Sequence, residues 1–517
     1  MINKLEAAQQ AFLGFAKRAE KVSTEILSDT FVDTAPLTAI LSTPNSQILY
    51  GRRGTGKTHA LLYLSSQIRG RGDHVVYLDL RSIGSDGSIY NDFSRSVAER
   101  SVRLILDVLK AFSIELFELI VQRFATHTNP SELAQRFEDF EASISEVGVH
   151  GEVTTSSRSS SDTAAEVGAT ASVSPSNLDM SLSGGSKSSQ VEETARSATG
   201  RERFSLNFGR VQGTLRSLLA ILGNPRVWVL IDEWSEVPVE LQPHLADLFR
   251  RTFFPVQNIV VKIAAIEHRS SFFVAGESGS YVGFELGADI STDLNLDDFL
   301  VFDNDQNKSV DFFKRLLFRH LKASEFGEQF TSPDELIQTV FTQHPVFEEL
   351  VRAAEGVPRD ALNLAAKVAT KAYGRAVSVA DIRASARDWY QQDKAAPIQA
   401  NKLLSNVLEK IVSEIIGNRK ARAFLFKANT RHTTMDQLFD ARVIHLLKKN
   451  ISSHDNPGER YDAFKIDYGC YVELITTAKA PGGLFNTDDG SFVDVPLDDY
   501  RSIRRAILPE ETLQETA

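Results

Sequence analysis

One segment has the residue types and the spacing needed to hold a phosphate chain. Residues 51–58 have the sequence GRRGTGKT, which fits the pattern G-x-x-x-x-G-K-[ST]. Glycines at this spacing let successive backbone N–H groups turn towards phosphate oxygens, and the following helix adds its positive end. The Lys57 ammonium suits the β- and γ-phosphates, and the Thr58 hydroxyl suits Mg²⁺. We therefore predict that ATP and Mg²⁺ bind here, against Gly51, Arg52, Arg53, Gly54, Thr55, Gly56, Lys57 and Thr58.

A pair of acids at the end of an apolar run is suited to bind the metal ion and to activate water for hydrolysis. Residues 227–233 have the sequence VWVLIDE. A buried parallel strand ends at the carboxyl edge of its sheet, so the acids are expected beside the phosphate loop. Asp232 is then suited to hold Mg²⁺ through water, and Glu233 to orient and deprotonate the attacking water. The pair predicts an ATPase, although an apolar run followed by two acids can also be a plain strand end.

These groups need a sheet to bring them together, and the surrounding pattern predicts one. Apolar runs at 46–50, 74–80, 227–231 and 259–266 are typical of buried parallel strands. A helix predicted over 57–68 separates the first two runs, and such alternation indicates an α/β fold with a parallel sheet. Beyond Asp297 the apolar period becomes helical, in segments near 308–322, 333–342, 345–355, 359–374 and 378–390.

A long insertion separates the second predicted strand from the acid pair. Two amphipathic helices are predicted over 92–125 and 131–147, and residues 148–200 are then rich in Ser, Thr, Ala and Gly. Large apolar residues are sparse there, so burial can offset little of the entropy lost on ordering. We expect a flexible segment, either a partner-binding loop or an inert spacer. Weak alternation at 147–153 and 178–182 leaves room for a loose hairpin.

The carboxyl-terminal part differs from the rest of the chain in its charge. Residues 402–449 contain ten Lys or Arg and four acids, whereas the whole chain has a formal net charge of −11. After a predicted linker at 392–400, three helices and a β-hairpin within 461–475 would give the order of a winged helix. A recognition helix over 436–450 would carry basic residues towards DNA phosphates, namely Arg442, Lys448 and Lys449. The alternatives are a solvated charged face and a surface that docks onto the ATPase or a partner.

With one more motif, these features resemble the AAA+/STAND ATPases, in particular the origin-recognition initiator ATPases of the ORC/CDC type and their bacterial relatives. The added motif is Gly356-Val-Pro-Arg359, at the start of a helix in the all-helical region. The resemblance implies that this helix opens a lid and that Arg359 contacts the γ-phosphate, a role that suits a permanently charged guanidinium. It also implies that Arg269, after the run at 259–266, senses the phosphate. Arg250 and Arg251 are weaker candidates for an arginine finger offered to a neighbouring subunit.

The resemblance also implies how the chain is organised. It places a P-loop ATPase core at 1–300, a helical lid at 301–391 and a winged-helix-like domain at 400–505. The core would hold an insertion at about 90–203, whose Ser- and Gly-rich part at 148–200 is the flexible segment. Because of this insertion, Lys57 and Asp232 lie farther apart in sequence than is usual in the family, which weakens any inference about ring assembly.

Composition limits the remaining choices. Hydrophobic residues make up 42% and charged residues 24%, as in ordinary soluble domains. The single cysteine, Cys470, excludes an internal disulfide and favours a cytoplasmic protein, and no apolar run is long enough to predict a membrane span. We expect an ATP-hydrolysing molecular switch that engages a protein partner or forms a homo-oligomer. The alternatives are an initiator or loader that binds duplex DNA through the basic carboxyl-terminal domain, and an oligomerising defence or signalling scaffold that recruits a separate effector.

Overall fold

A computed structural model describes residues 3–513 of the chain, except for 16–17, 35, 85–89, 125–128, 145–146, 158–193, 205, 277–278, 300–304, 419–420, 429–431, 453–457 and 477–505. The strands are β1 (Gln47–Tyr50), β2 (His74–Asp79), β3 (Val147–Ser157), β4 (Thr194–Phe204), β5 (Val227–Asp232), β6 (Ile259–Ala265), β7 (Phe273–Ala275), β8 (Tyr281–Gly283), β9 (Ser291–Asn295), β10 (Ala423–Lys427), β11 (Ile444–Ser452) and β12 (Arg460–Ile466). The α-helices are α1 (Lys4–Gly14), α2 (Thr24–Thr30), α3 (Leu37–Leu41), α4 (Lys57–Gly70), α5 (Val97–Phe124), α6 (Pro130–Ile144), α7 (Phe208–Ile221), α8 (Gln242–Leu248), α9 (Leu296–Phe299), α10 (Gln306–Lys322), α11 (Pro333–Val340), α12 (His344–Ala354), α13 (Pro358–Lys371), α14 (Val379–Trp389), α15 (Ala396–Gln399), α16 (Lys402–Val412), α17 (Thr433–Asp440) and α18 (Tyr468–Thr476).

A parallel sheet forms the centre of the amino-terminal half. Its strands run in the order β2-β5-β6-β1-β9, and every neighbouring pair is parallel. The register places Asp79 of β2 beside Asp232 of β5, so the residues that follow these two strands emerge together at the carboxyl edge. The loop after β1 leaves the sheet at the same edge, because β1 is parallel to its neighbours. The predicted α/β fold with a parallel sheet is confirmed.

Both faces of this sheet are buried. Successive residues of a strand point to opposite sides, so each strand contributes side chains to both cores. On one face Val229 and Ile231 belong to a core that includes residues of α5, α7 and α8. On the other face Trp228 and Leu230 pack with residues of α4. A strand that is buried on both faces is apolar almost without interruption, and that property made these strands recognisable in the sequence.

The region beyond the sheet is helical, as the periodicity predicted. Helices α10 to α14 share one apolar core with α1 from the amino terminus, to which α1 contributes Phe12. The predicted linker at 392–400 is wrong, because residues 390–395 form a π-helical turn and α15 continues it. Ala395 and Ile398 are buried in the next core along the chain, and their burial stabilises the helical path.

Residues 390–476, here called the C-terminal unit, contain an antiparallel sheet in the order β10-β12-β11. The predicted recognition helix over 436–450 is wrong: α17 ends at Asp440, Arg442 has a left-handed φ of 61°, and β11 follows. The predicted hairpin within 461–475 is also wrong, since β12 pairs with β11 and residues 468–476 form α18. Strand pairing satisfies backbone groups between distant segments, which the local run of charges does not reveal. Residues 477–505 of the proposed winged-helix-like domain lie outside the described residues.

Part of the insertion is more regular than its composition indicates. Strands β3 and β4 pair in antiparallel register from Val147 opposite Phe204 to Ser157 opposite Thr194. Residues 148–157 and 194–200, which we expected to be flexible, therefore form a ladder. The expected second arm at 178–182 lies outside the described residues. In the part of the chain that the structure describes, no helix has the length and apolarity needed to cross a bilayer.

Candidate functional site

The loop between β1 and α4 is shaped by two glycines. Gly54 and Gly56 have φ values of 90° and 100°, in the left-handed region that favours glycine. A Cβ on Gly54 would also lie 3.0 Å from the Cβ of Arg359 and 3.0 Å from Cγ1 of Val357. The Gly54 carbonyl accepts a hydrogen bond from the backbone N–H of Arg359 at 3.2 Å. The absence of a side chain at Gly54 therefore lets the first turn of α13 rest on the loop.

A cavity of about 300 Å³ lies between this loop, the start of α13 and the segment that contains α2. Its lining includes seven of the predicted site residues: Arg53, Gly54, Gly56, Lys57, Thr58, Glu233 and Arg359. Apolar side chains also line it, among them Val22, Ile26, Leu316 and Leu362. Apolar side chains suit a planar base, and cationic side chains suit phosphates.

Lys57 is a buried residue that lines the cavity. Its Nζ donates to the backbone carbonyls of Gly51 at 2.7 Å and Arg52 at 3.0 Å. Burial lowers the pKa of Lys57, whereas the nearby carboxylates of Glu233 and Asp232 act to raise it. Phosphate oxygens would bind this ammonium more strongly than the two neutral carbonyls do, because hydrogen bonds between ionised groups are the stronger ones.

The two acids have different environments. Asp232 is fully buried at the end of β5, where its carboxylate accepts from the Tyr77 hydroxyl at 2.7 Å and from the Glu233 backbone N–H at 2.8 Å. Glu233 borders the cavity and has a left-handed φ of 56°, a strained conformation of the kind found at functional sites. Burial raises the pKa of Glu233, and the neighbouring Asp232 raises it further. A more basic carboxylate suits proton abstraction.

Sequence reasoning did not identify Arg81, which borders the same cavity. Its guanidinium pairs with Asp79 at 2.6 Å and lies 3.6 Å from Glu233 and 3.5 Å from Glu20. Arg81 lies just after the end of β2, and Glu233 lies just after the end of β5. These two strands are neighbours in the sheet. The order of the strands was needed to place Arg81 beside Glu233, and the sequence did not supply that order.

Some of the predicted binding residues face away from the cavity. Arg52 is buried, and its guanidinium donates to Asp297 Oδ1 and to His445 Nδ1, both at 2.6 Å, while its backbone N–H donates to Asp297 at 2.9 Å. The Thr55 hydroxyl donates to the Arg52 carbonyl at 2.9 Å. Arg269 does not line the cavity, and its guanidinium lies 3.8 Å from Asp440.

Arg250 and Arg251 both pair with Asp247, one helical turn away in sequence, at 2.7 and 2.6 Å. Neither of these arginines lines the cavity. Their ion pairs fix both side chains locally, and whether a neighbouring subunit uses either one stays a prediction.

Three basic residues of the C-terminal unit, Arg422, Arg442 and Lys449, contact acids in the preceding part of the chain. Arg442 pairs with Asp360 at the start of α13 and with Asp393. Lys449 Nζ lies 2.7 Å from Glu267, and Arg422 pairs with Glu355. These three contacts agree with the alternative in which the basic surface docks onto the rest of the chain, and contact with DNA stays a prediction.

The chain is similar to one known protein family and to a solved structure. A family model described as ORC-CDC6-like matches residues 15–271, a span that contains the loop at 51–58 and both acids. Among solved structures, the chain is similar to the Aeropyrum pernix ORC1 protein in complex with DNA, with 12% identity over 90% of this chain and 96% of that chain. The TM-score of this comparison is 0.28. No curated protein matches the sequence. The family match confirms the predicted resemblance: residues 15–271, just under half of the chain, are similar to the ORC-CDC6-like family.

Proposed function

We propose that the chain binds ATP with Mg²⁺ in the cavity between the loop at 51–58 and α13, and hydrolyses it as a molecular switch. The observation that carries the proposal is the convergence of Lys57, Thr58, Glu233 and Arg359 on one cavity of about 300 Å³. These residues come from three separate parts of the sequence, and each has the chemistry expected for its role.

The donor set fits a magnesium ion. Thr58 offers a hydroxyl in the cavity and Asp232 offers a carboxylate at the adjacent strand end, and Mg²⁺ prefers such hard oxygen ligands. Asp232 is held in place by the Tyr77 hydroxyl and the Glu233 N–H, which leaves lone pairs on its oxygens for a bound water. When bound, the ion would neutralise charge on the β- and γ-phosphates.

The chain's own residues would then act as follows. Lys57 exchanges its two carbonyl acceptors for phosphate oxygens, and Arg359 meets the γ-phosphate from the lid. Glu233 takes a proton from a water whose oxygen bonds to the γ-phosphorus. The bond from that phosphorus to the bridging oxygen breaks, giving ADP and inorganic phosphate. Loss of the γ-phosphate removes the contact to Arg359, and the lid is released.

Two substitutions test this proposal, with a third as a matched control. Lys57→Ala should abolish ATP binding in calorimetry, and Glu233→Gln should bind ATP but not release phosphate. Glu236→Gln is the control, because Glu236 borders the same cavity and pairs with Arg53 at 2.7 Å but has no assigned chemistry. Normal turnover by the Glu233→Gln protein would show that the assigned base is wrong.

A switch also needs a partner that responds to the nucleotide. A protein partner or a second copy of the chain is the first candidate, and duplex DNA is the second, favoured by the ten Lys or Arg in 402–449. Arg442 and Lys449 pair with acids of the ATPase half, so DNA would reach them only after the C-terminal unit has moved away. If DNA is the partner, Arg442→Glu with Lys449→Glu should remove salt-dependent duplex binding. Binding that survives both reversals would exclude these residues as the DNA contact.

A further inference from the structure

A cluster of charges, all largely buried except Asp393, lies where the C-terminal unit meets the loop at 51–58 and the start of α13. We call it the buried junction. Its cations are Arg52, Lys394, Arg422, Arg442 and Lys465, and its acids are Asp297, Glu355, Asp360, Asp393 and Asp467, with His445 among them. Cations and acids are equal in number when His445 is neutral, so every charge taken from water has a counter-charge. Removing one partner of such a pair is costly, which makes the geometry of the junction specific.

His445 links the phosphate loop to this junction. Arg52 can only donate, so the 2.6 Å contact between its Nη1 and His445 Nδ1 requires that Nδ1 accept. The proton then lies on Nε2, which donates to Asp467 at 3.0 Å. Burial lowers the pKa of His445 well below its ordinary value, in agreement with a neutral ring. The ring of Phe439 lies 4.7 Å from the Arg52 guanidinium, so the C-terminal unit contacts this side chain through two residues.

The same junction reaches the lid. Lys394 Nζ lies 2.6 Å from Asp467 and 3.2 Å from Asp360, and Arg442 also pairs with Asp360. Asp360 directly follows Arg359, which lines the nucleotide cavity. A continuous series of contacts therefore runs from Arg52 in the loop at 51–58, through His445, Asp467 and Lys394 of the C-terminal unit, to Asp360. Neither Arg52 nor Asp360 lines the cavity, but each is next in sequence to a residue that does, Arg53 and Arg359.

A metal ion is a weaker interpretation of the same residues. Glu355, His445 and Asp467 have ligand atoms within 4.8 Å of one another, which is close enough to share an ion. However, Lys465 lies 2.5 Å from Glu355 and Lys394 lies 2.6 Å from Asp467. A divalent ion would add positive charge to a site that cations already neutralise.

We propose that the C-terminal unit positions the two walls of the nucleotide cavity, with His445 acting through Arg52 and Arg442 acting through Asp360. Nucleotide binding and docking of the C-terminal unit are then coupled, and by linkage each must change the other by the same factor. The proposal rests on the proposed ATP site, because the coupling is to the nucleotide in that cavity. His445 and Arg442 are positioning residues, since neither lines the cavity.

Substitutions at His445 separate positioning from mere folding. His445→Leu keeps the bulk but loses both hydrogen bonds, whereas a glutamine amide at 445 can accept from Arg52 and donate to Asp467. We expect His445→Leu to weaken ATP binding by roughly tenfold, within the usual range of coupling. His445→Gln should restore most of this loss. Lys427→Ala is the matched control, because Lys427 is an exposed cation of the same unit that pairs with Glu459 at 3.3 Å, and it should leave ATP affinity unchanged.

Hydrogen exchange on the unmodified full-length chain provides a second measurement that needs no variant. With ATP and Mg²⁺, exchange at residues 444–447 and 466–468, which carry the junction, should change, while exchange at 424–427 on the far strand should not. If the chain binds ATP but the exchange is unchanged and His445→Leu, still folded by circular dichroism, binds ATP normally, the coupling is refuted and the ATP site stands. If the unmodified chain gives no heat with ATP, the proposed function itself has failed, and the coupling fails with it.

Discussion

Arg359 offers the sharpest test of the nucleotide site. Arg359 lines the cavity and is partly buried, and this burial lowers its pKa, with the nearby cations Arg442 and Arg18 lowering it further. Among the described residues, no carboxylate oxygen lies within 4.0 Å of the Arg359 guanidinium, the distance that defines an ion pair. The free protein therefore holds a partly desolvated cation without a close counter-charge, and a γ-phosphate would provide one.

The expected size of the effect follows from that arrangement. A hydrogen bond to a charged group contributes about 1.5–3 kcal/mol, and a guanidinium can donate two such bonds to one phosphate. Taking about 3 kcal/mol for the pair, Arg359→Ala should weaken ATP binding roughly 100-fold, because about 1.4 kcal/mol corresponds to a factor of ten. ADP has no γ-phosphate, so its affinity should change by less than about threefold on the same scale.

The assay is a titration of the purified protein with ADP and with a slowly hydrolysed ATP analogue, both with Mg²⁺, followed by calorimetry. Arg359→Lys is the matched variant, since it keeps the charge but loses the planar fork, and it should fall between the other two proteins. The melting temperature should not fall in Arg359→Ala, because no ion pair is lost. An equal loss of affinity for ADP and the ATP analogue would refute a γ-phosphate contact, and no loss for either would remove Arg359 from the site.

Three further predictions concern the framework of the site. Tyr77→Phe should cost about 1–3 kcal/mol of unfolding free energy, measured in urea, because the buried Asp232 loses its 2.7 Å hydroxyl donor. Burial raises the pKa of Asp440 to about 6, above its unfolded value of about 3.9, so the folded chain binds this proton more tightly. The free energy of unfolding should therefore fall by up to about 3 kcal/mol as the pH rises from about 4 through about 6, and Asp440→Asn should reduce this dependence on pH. Arg442→Met should cost about 3–5 kcal/mol by leaving Asp360 underpaired, and adding Asp360→Asn should recover part of it; a double variant no more stable than the single one would contradict the pairing.

The chemical motifs were recognisable because their geometry is local. A turn that needs left-handed glycines at 54 and 56, a lysine at the following helix start and acids at the end of a buried strand all depend on neighbouring residues. The helical period beyond residue 306 is local in the same sense, and the predicted lid segments correspond to α10–α14. The expected helix over 436–450 failed because β11 exists only through its pairing with β12, and pairing between separate strands is not visible in one run of residues.

The sequence by itself predicted the parallel sheet, the loop at 51–58 and the acid pair, because short-range spacing and burial period indicate each of them, whereas the role of Arg359 was implied by the family resemblance. Only the tertiary structure decided that Arg52 contacts His445, that Arg81 lies beside Glu233 and that Arg442 pairs with Asp360. Arg52 and His445 are 393 positions apart, and a contact across such a distance depends on how whole elements pack. The amino-acid sequence gives the charge of each side chain, but the packing of distant elements determines which side chain neutralises it.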